Sequence, residues 1–251
     1  LLDIEPGSLN PSRVFRELEA IENRKENICL HLFERIRLLE PESMESVFYD
    51  LSSTTFSGSR CVIMKWGHCK EGYQNHVVLA IVVNSQGLPF YWEVLPGGTA
   101  DATTIRWLVQ RLQDRFKIHQ TTLVFDRGMV SDENLALLEN EKIKYISAMD
   151  KSQLETIAGI QFEKYLFLTP DRVDGQARTL PGFHPLNNGS YYREIKVEGK
   201  RRFILCFNPQ LFKDQRQARE QAVANFSSFV NDLNAQQIGR ASCRERVCHR
   251  V

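Results

Sequence analysis

Two aspartates stand where carboxylates can do metal chemistry. Asp50 falls within Val47-Phe48-Tyr49-Asp50-Leu51, the opening of a run with strand propensity, and Asp126 closes the apolar run Thr121-Thr122-Leu123-Val124-Phe125. A charge among apolar strand neighbours costs free energy unless it is paired or binds a cation, so Asp50 is less ordinary than an aspartate that caps a helix or closes a turn. Carboxylates are hard oxygen ligands suited to Mg2+ or Mn2+. Two such ions about 4 Å apart activate an oxygen nucleophile and stabilise the leaving oxygen at a phosphodiester. Either aspartate alone signals little, and the pair signals a site only if the fold brings both together.

The hydrophobic pattern predicts the elements that must do so. Val14, Leu18 and Ile21, then Ile28, Leu32, Ile36 and Leu39, recur at helical spacing and predict two helices or one bent helix before Pro41. A first strand runs from Val47 to Phe56, where Gly58 interrupts it. A second covers Val77 to Val83, and the turn Asn84-Ser85-Gln86-Gly87 leads into a third that ends near Leu95. Pro96-Gly97-Gly98 breaks the chain. Ile105, Leu108, Val109, Leu112 and Phe116 then mark a helix within Thr99 to Phe116. A strand from Thr121 to Asp126, a helix from about Asp132 to Asn140 and a strand from Lys144 to Met149 complete the order βββαβαβ. Three antiparallel strands followed by helix-linked parallel strands build an α/β fold with a ribonuclease-H-like mixed sheet. Right-handed crossovers set the fourth strand beside the first. In that arrangement Asp50, in mid-strand, and Asp126, at a strand end, converge.

Beyond about Pro170 the pattern changes. Pro181-Gly182 and Asn187-Asn188-Gly189 read as turns, Tyr191 to Val197 and Arg202 to Phe207 as a hairpin around Glu198-Gly199-Lys200, and Pro209 to about Leu233 as a polar helix. The expected organisation is a helical lead-in over 1–41, the first part of a catalytic core over 42–169, and an incomplete inserted subdomain, β-rich and helical, over 170–237. Ile238-Gly239-Arg240-Ala241-Ser242-Cys243-Arg244-Glu245-Arg246-Val247 matches the translation of a sequencing adapter, so 238–251 is expected to be readthrough and is set apart from fold reasoning. With no initiating Met and a helical pattern from its first residues, the chain is read as a fragment.

Composition narrows the classes. At 42% hydrophobic and 25% charged residues the chain can bury a core and is not a disordered tail. No apolar run approaches the roughly 20 residues needed to cross a bilayer, and a cytoplasmic protein without a membrane partner is expected. Net charge of +1 decides nothing about nucleic acid, which responds to local basic surface. The eight Lys or Arg among residues 193 to 219 are read as a solvated face. The six Cys lack paired C-x-x-C spacing, so neither a zinc site nor a disulfide framework is indicated. His68 and Cys69 are assigned to loop packing, and Trp66, Trp92 and Trp107 to core or packing positions.

Five blocks carry a family resemblance: Val47-Phe48-Tyr49-Asp50-Leu51-Ser52-Ser53-Thr54-Thr55-Phe56, Gly67-His68-Cys69-Lys70-Glu71-Gly72, Gly87-Leu88-Pro89-Phe90, Pro96-Gly97-Gly98-Thr99-Ala100-Asp101-Ala102-Thr103-Thr104, and Val124-Phe125-Asp126-Arg127-Gly128-Met129. In this order, over roughly residues 10 to 235, the sequence resembles bacterial insertion-sequence transposases of the IS4-like superfamily, particularly the IS1634-type group. The Asp126-Arg127-Gly128-Met129 block is the most specific.

The resemblance implies a DDE-type DNA transposase in which Asp50 and Asp126 are the first two catalytic carboxylates and the ligands of Mg2+ or Mn2+. The ions would activate water or a 3′-hydroxyl for DNA cleavage and strand transfer. The implied partners are double-stranded DNA and transposon ends, with a homodimer for the full-length protein. Arg127 either meets phosphate or holds a carboxylate. Gly97-Gly98-Thr99 replaces the family's usual Gly-Asn-Thr, and Cys69-Lys70-Glu71 its frequent Ser-Lys-Asp; neither change touches the aspartates. The family's third carboxylate, a helix-borne Glu within a Tyr, Arg, Glu, Lys spacing, is absent. Tyr192-Arg193-Glu194-Ile195-Lys196 echoes it with the wrong spacing in a strand, so Glu194 is not assigned. The chain is therefore expected neither to cleave nor to join DNA. The alternatives are another ribonuclease-H-like nuclease and a non-catalytic DNA-binding remnant.

Overall fold

A computed structural model describes residues 10–55, 57–58, 61–160, 182–196 and 201–245. The chain divides into two units, 1–160 and 161–251. The expected strand end at Phe56, the start of the Pro181-Gly182 turn and the Glu198-Gly199-Lys200 turn lie outside the described residues.

Strand propensity in the first unit is realised as six strands: β1 (Ser46–Thr55), β2 (Lys65–Cys69), β3 (Gly72–Asn84), β4 (Pro89–Leu95), β5 (Thr122–Phe125) and β6 (Lys144–Ser147). They form one sheet in the order β2-β3-β1-β5-β6, with β4 also on β3. β1, β3 and β4 pair antiparallel, while β5 and β6 join in parallel. The parallel joins need crossovers, and α3 (Thr104–Asp114) and α4 (Asp132–Asn140) supply them. This is the ribonuclease-H-like mixed sheet expected from the element order.

Alternation of side chains gives the sheet two unlike faces. Val47, Tyr49, Ala80, Val82, Tyr91, Leu123 and Phe125 are buried in the core. Against them pack Ile105, Leu108, Val109 and Leu112 of α3, Leu135 and Leu138 of α4, and Cys29, Phe33 and Ile36 of α2 (Lys25–Leu39). Phe33, Phe90 and Phe116 interlock with ring centroids 5.1–5.6 Å apart. Lys25 enters this layer with its charge met by Glu93 at 2.6 Å, and Glu93 also accepts from the Tyr91 hydroxyl at 2.9 Å. Among the described residues the opposite face is open and apolar: Phe48 of β1 is 41% and Ile146 of β6 60% exposed, with Val124 of β5 half-buried between them and Ile81 and Val83 half-buried on β3.

Several expectations change. β2 was not anticipated, because Lys65-Trp66-Gly67-His68-Cys69 lacks an apolar alternation; it pairs with the outer end of β3 and buries only Cys69. β3 accordingly starts at Gly72 rather than Val77. The helix after Pro96 begins at Thr104 rather than Thr99. The hydroxyls of Thr99, Thr103 and Thr104 donate to the carbonyls of Pro96, Ala100 and Asp101, side-chain bonds that compete with a helical start. Gly97 packs so tightly on the His76 carbonyl that no side chain fits there, while its N–H donates to Ile63 at 2.9 Å. α1 (Pro11–Glu22) is helical as expected, yet buries no residue, and Phe15, Leu18 and Ile21 face outward. A further helix, α5 (Lys151–Ala158), closes the unit.

In the second unit, β7 (His184–Pro185), β8 (Tyr191–Lys196) and β9 (Arg202–Phe207) form an antiparallel sheet. It buries Ile195, Phe203, Leu205 and Phe207. α6 runs from Pro209 to Glu245, past the expected end near Leu233, through residues such as Ala235, Gln236 and Arg240 that favour helix. Among the described residues no helix is long and apolar enough to cross a membrane.

Candidate functional site

The parallel register of β1 and β5 opposes Val47 with Leu123 and Tyr49 with Phe125. Asp50 and Asp126 are each the next residue. Parallel neighbours lie about 4.8 Å apart, so the two aspartates follow directly from adjacent, paired strand residues. Both line one cavity of about 250 Å³, together with Phe48, Ile81, Val83 and Val124 of the open face. Asp50 is exposed rather than enclosed, because its face of the sheet is uncovered, and the expected cost of an enclosed charge does not arise. Asp126 stands one residue beyond β5, as the extended residue before a short 3-10 turn, Arg127–Met129.

That turn is held from two sides. Asn134, only 7% exposed, donates one amide hydrogen to the Met129 carbonyl at 2.8 Å and the other to Ala102 at 2.7 Å. It thereby ties the turn after Asp126 to a second 3-10 turn, Asp101–Thr103. From α5, the Gln153 amide donates to Arg127 at 3.2 Å and Val130 at 3.4 Å. Gln153 is itself fixed in a capping box with Asp150. Ser147 of β6 donates to the Phe125 carbonyl at 2.8 Å. The backbone around Asp126 is thus fixed by side chains of three elements.

A third carboxylate approaches without joining the pair. Asp101 lies so near Gly128 that a Cβ there would stand 2.9 Å from its Oδ2, so a side chain at 128 would displace the Asp101 carboxylate. Burial pushes the Asp101 carboxyl above its ordinary range, and the charges of Asp126 and Asp50 push it further. Beneath the site, Tyr49 is 2% exposed and its hydroxyl makes no well-formed hydrogen bond. Burial raises it to about 12; the neighbouring Thr104 hydroxyl acts in the opposite sense, and Asp101 and Asp50 add to the rise. Among the described residues no group of three or more His, Cys, Asp or Glu side chains is arranged to hold a metal ion. Asp50 and Asp126 contribute two carboxylates to the lining of this open cavity.

The other sequence candidates find definite places. Arg127 is exposed, and its charge helps to hold the Asp150 carboxyl below the usual range, chiefly set there by the Gln153 N–H. Glu194 lies on β8, where Arg202 donates to both its oxygens at 3.0 and 3.2 Å. Cys69 is buried and donates to Gly72 at 3.1 Å, and His68 meets the Tyr73 ring edge-on, on a strand rather than in a loop. Trp92 and Trp107 pack against the core. Trp66 does not: it is 69% exposed, because β2 leaves its outer face uncovered. Asp101, Asn134 and Gln153 were missed as parts of the site. Only Gln153 carried a signal, the Asp-x-x-Gln of a capping box ahead of a helix.

Residues 47–205 match the family described as "Transposase DDE domain". No curated protein matches the chain. Among solved structures, the chain is similar to Mos1 transposase in its paired-end complex with the left transposon end, at 18% identity and TM-score 0.30, over 58% of this chain and 45% of that one. It is also similar to the catalytic domain of Mos1 mariner transposase, at 18% identity and TM-score 0.30, over 59% and 67% of the two chains. A third similarity is to piggyBac transposase in a synaptic complex with hairpin DNA, at 11% identity and TM-score 0.36, over 79% and 40%. The alignment spans less than half the length of the Mos1 chain in the paired-end complex.

Proposed function

The chain belongs to the transposase DDE domain family, and from that premise we propose that it is part of an insertion-sequence transposase of the IS4-like, IS1634-type group. Asp50 and Asp126 are its first two metal-binding carboxylates. The observation that supports this is the pairing of Tyr49 with Phe125, each followed by one of the two acids, which line one cavity. Mg2+ or Mn2+ held there would supply an activated oxygen nucleophile and stabilise the leaving 3′-oxygen. The residues of the chain do the rest: Asn134 and Gln153 fix the backbone that carries Asp126, and Arg127 meets a phosphate of double-stranded DNA at a transposon end.

A third carboxylate belongs to this chemistry, and no residue of this sequence is assigned to it. The 251-residue chain alone then binds metal and DNA without cutting. The full-length protein acts as a homodimer on DNA in the cytoplasm.

Incubating the chain with supercoiled plasmid in Mg2+ and in Mn2+ tests both parts, by gel retardation and by conversion to nicked circles. Retarded but intact plasmid is expected. Absence of retardation at low salt would refute the DNA reading, and nicking that disappears in Asp126→Asn would refute the inactivity of this chain.

A further inference from the structure

The β2–β3 hairpin presents a face that neither the core nor the aspartate site uses. In its register Trp66 stands opposite Asn75 and His68 opposite Tyr73, so these four side chains share one side. Trp66 is 69% and Tyr73 67% exposed, and His68 and Tyr73 meet edge-on with ring centroids 5.3 Å apart. Large aromatic rings left in water in an ordered ribbon make a surface suited to flat partners.

The hairpin is also tied to the strand that carries Asp50. The Lys70 N–H donates to the Ser53 hydroxyl at 3.1 Å, the Lys70 ammonium donates to Ser52 at 3.3 Å, and the Thr55 hydroxyl donates to Glu71 at 2.8 Å. Ser52 is two residues from Asp50, on the same face of β1. An exposed ammonium of the hairpin therefore stands beside Ser52, two residues along the strand from the Asp50 carboxylate. Lys65 is a second exposed cation of the ribbon, on the side opposite Trp66, and Glu71 is its acid.

We propose that Trp66, His68 and Tyr73 form a stacking platform for unpaired bases of the DNA strand whose phosphodiester lies at Asp50 and Asp126, with Lys70 meeting a phosphate between the two. Three features select nucleic acid over an apolar protein surface. The face offers ring systems with polar edges, the Lys70 ammonium borders it, and the hydrogen bonds of Lys70 link it to the strand that carries Asp50. Bases stack on aromatic rings whatever their sequence, while a cation follows the backbone. The proposal rests on the DNA reading above and adds where the strand runs and that its bases are unpaired there.

Fluorescence anisotropy of two labelled DNA probes tests it with the whole chain in Mg2+: a fully paired duplex and the same duplex with a short unpaired tail. The wild type is expected to bind the tailed probe more tightly. Trp66→Ala should weaken the tailed probe by about 5- to 150-fold and leave the paired one unchanged, Trp66→Phe should keep most of the preference, and Lys70→Ala should weaken both. Circular dichroism melting, unchanged in Trp66→Ala, confirms that the exposed side chain is not a folding determinant. Equal binding of both probes by the wild type, or a Trp66→Ala protein that keeps the preference, overturns the platform while the DNA reading stands. A wild type that binds neither probe overturns both.

Discussion

Tyr49 and Phe125 face one another across the parallel pair of β1 and β5, and the residue after each is an aspartate. The two acids are therefore neighbours because two buried aromatic side chains hold the strands in register, and the site depends on the core beneath it. Leu123, fully buried opposite Val47, belongs to the same contact. Leu123→Ala should cost about 2–5 kcal/mol in urea unfolding. It should also weaken Mn2+ binding, since β5 loses the packing that fixes it.

Asn134 offers a sharper separation of stability from function. Its two amide bonds satisfy Ala102 and Met129, and Asn134→Leu leaves both carbonyls without that donor, at a cost of about 1–3 kcal/mol. Leu108→Ala, a core change in α3, should cost at least as much. We expect Asn134→Leu to reduce Mn2+ affinity more than Leu108→Ala does, when both are measured by calorimetry below their melting range.

The Lys25–Glu93 pair joins α2 to β4, with 23% of the Glu93 side chain still open to water. Lys25→Met should destabilise by about 3 kcal/mol, the low end for breaking a buried pair, since Glu93 keeps the Tyr91 hydroxyl and partial hydration. A change below about 0.5 kcal/mol in denaturant unfolding would place the pair among surface bridges.

Asp101 gives the protein a pH dependence of known sign. Its carboxyl is raised above the ordinary 3.8 by burial and by Asp126 and Asp50, so the folded chain holds this proton more firmly than the unfolded one. The stability it contributes is full below the ordinary value and is lost as pH rises through the raised one. In chelator, the melting temperature of Asp101→Asn relative to wild type should climb through that window and then level off. A difference that stays constant from acid to neutral pH would remove Asp101 from the electrostatics of the site.

Much of this is legible in the sequence. β-branched and aromatic runs marked β1, β3, β4, β5 and β6, and the strand order implied that Asp50 and Asp126 would meet. β2 was hidden because it buries a single residue, Cys69, and so leaves no periodic trace. For the same reason Trp66 read as a packing residue. Asn134 escaped notice because a buried asparagine within a helical pattern looks like a solvated one until its partners, Ala102 and Met129, are known. Asp101 was seen within a block, yet its approach to Gly128 depends on how two turns far apart in the chain meet.

Mn2+ titration of the wild type, Asp50→Asn, Asp126→Asn and the double variant, followed by electron paramagnetic resonance of the free ion, tests the shared site most directly. Each single change should weaken binding by more than about 10-fold, and the double variant should be little worse than either, because both residues serve one ion site. Either single variant binding Mn2+ as tightly as the wild type would contradict it.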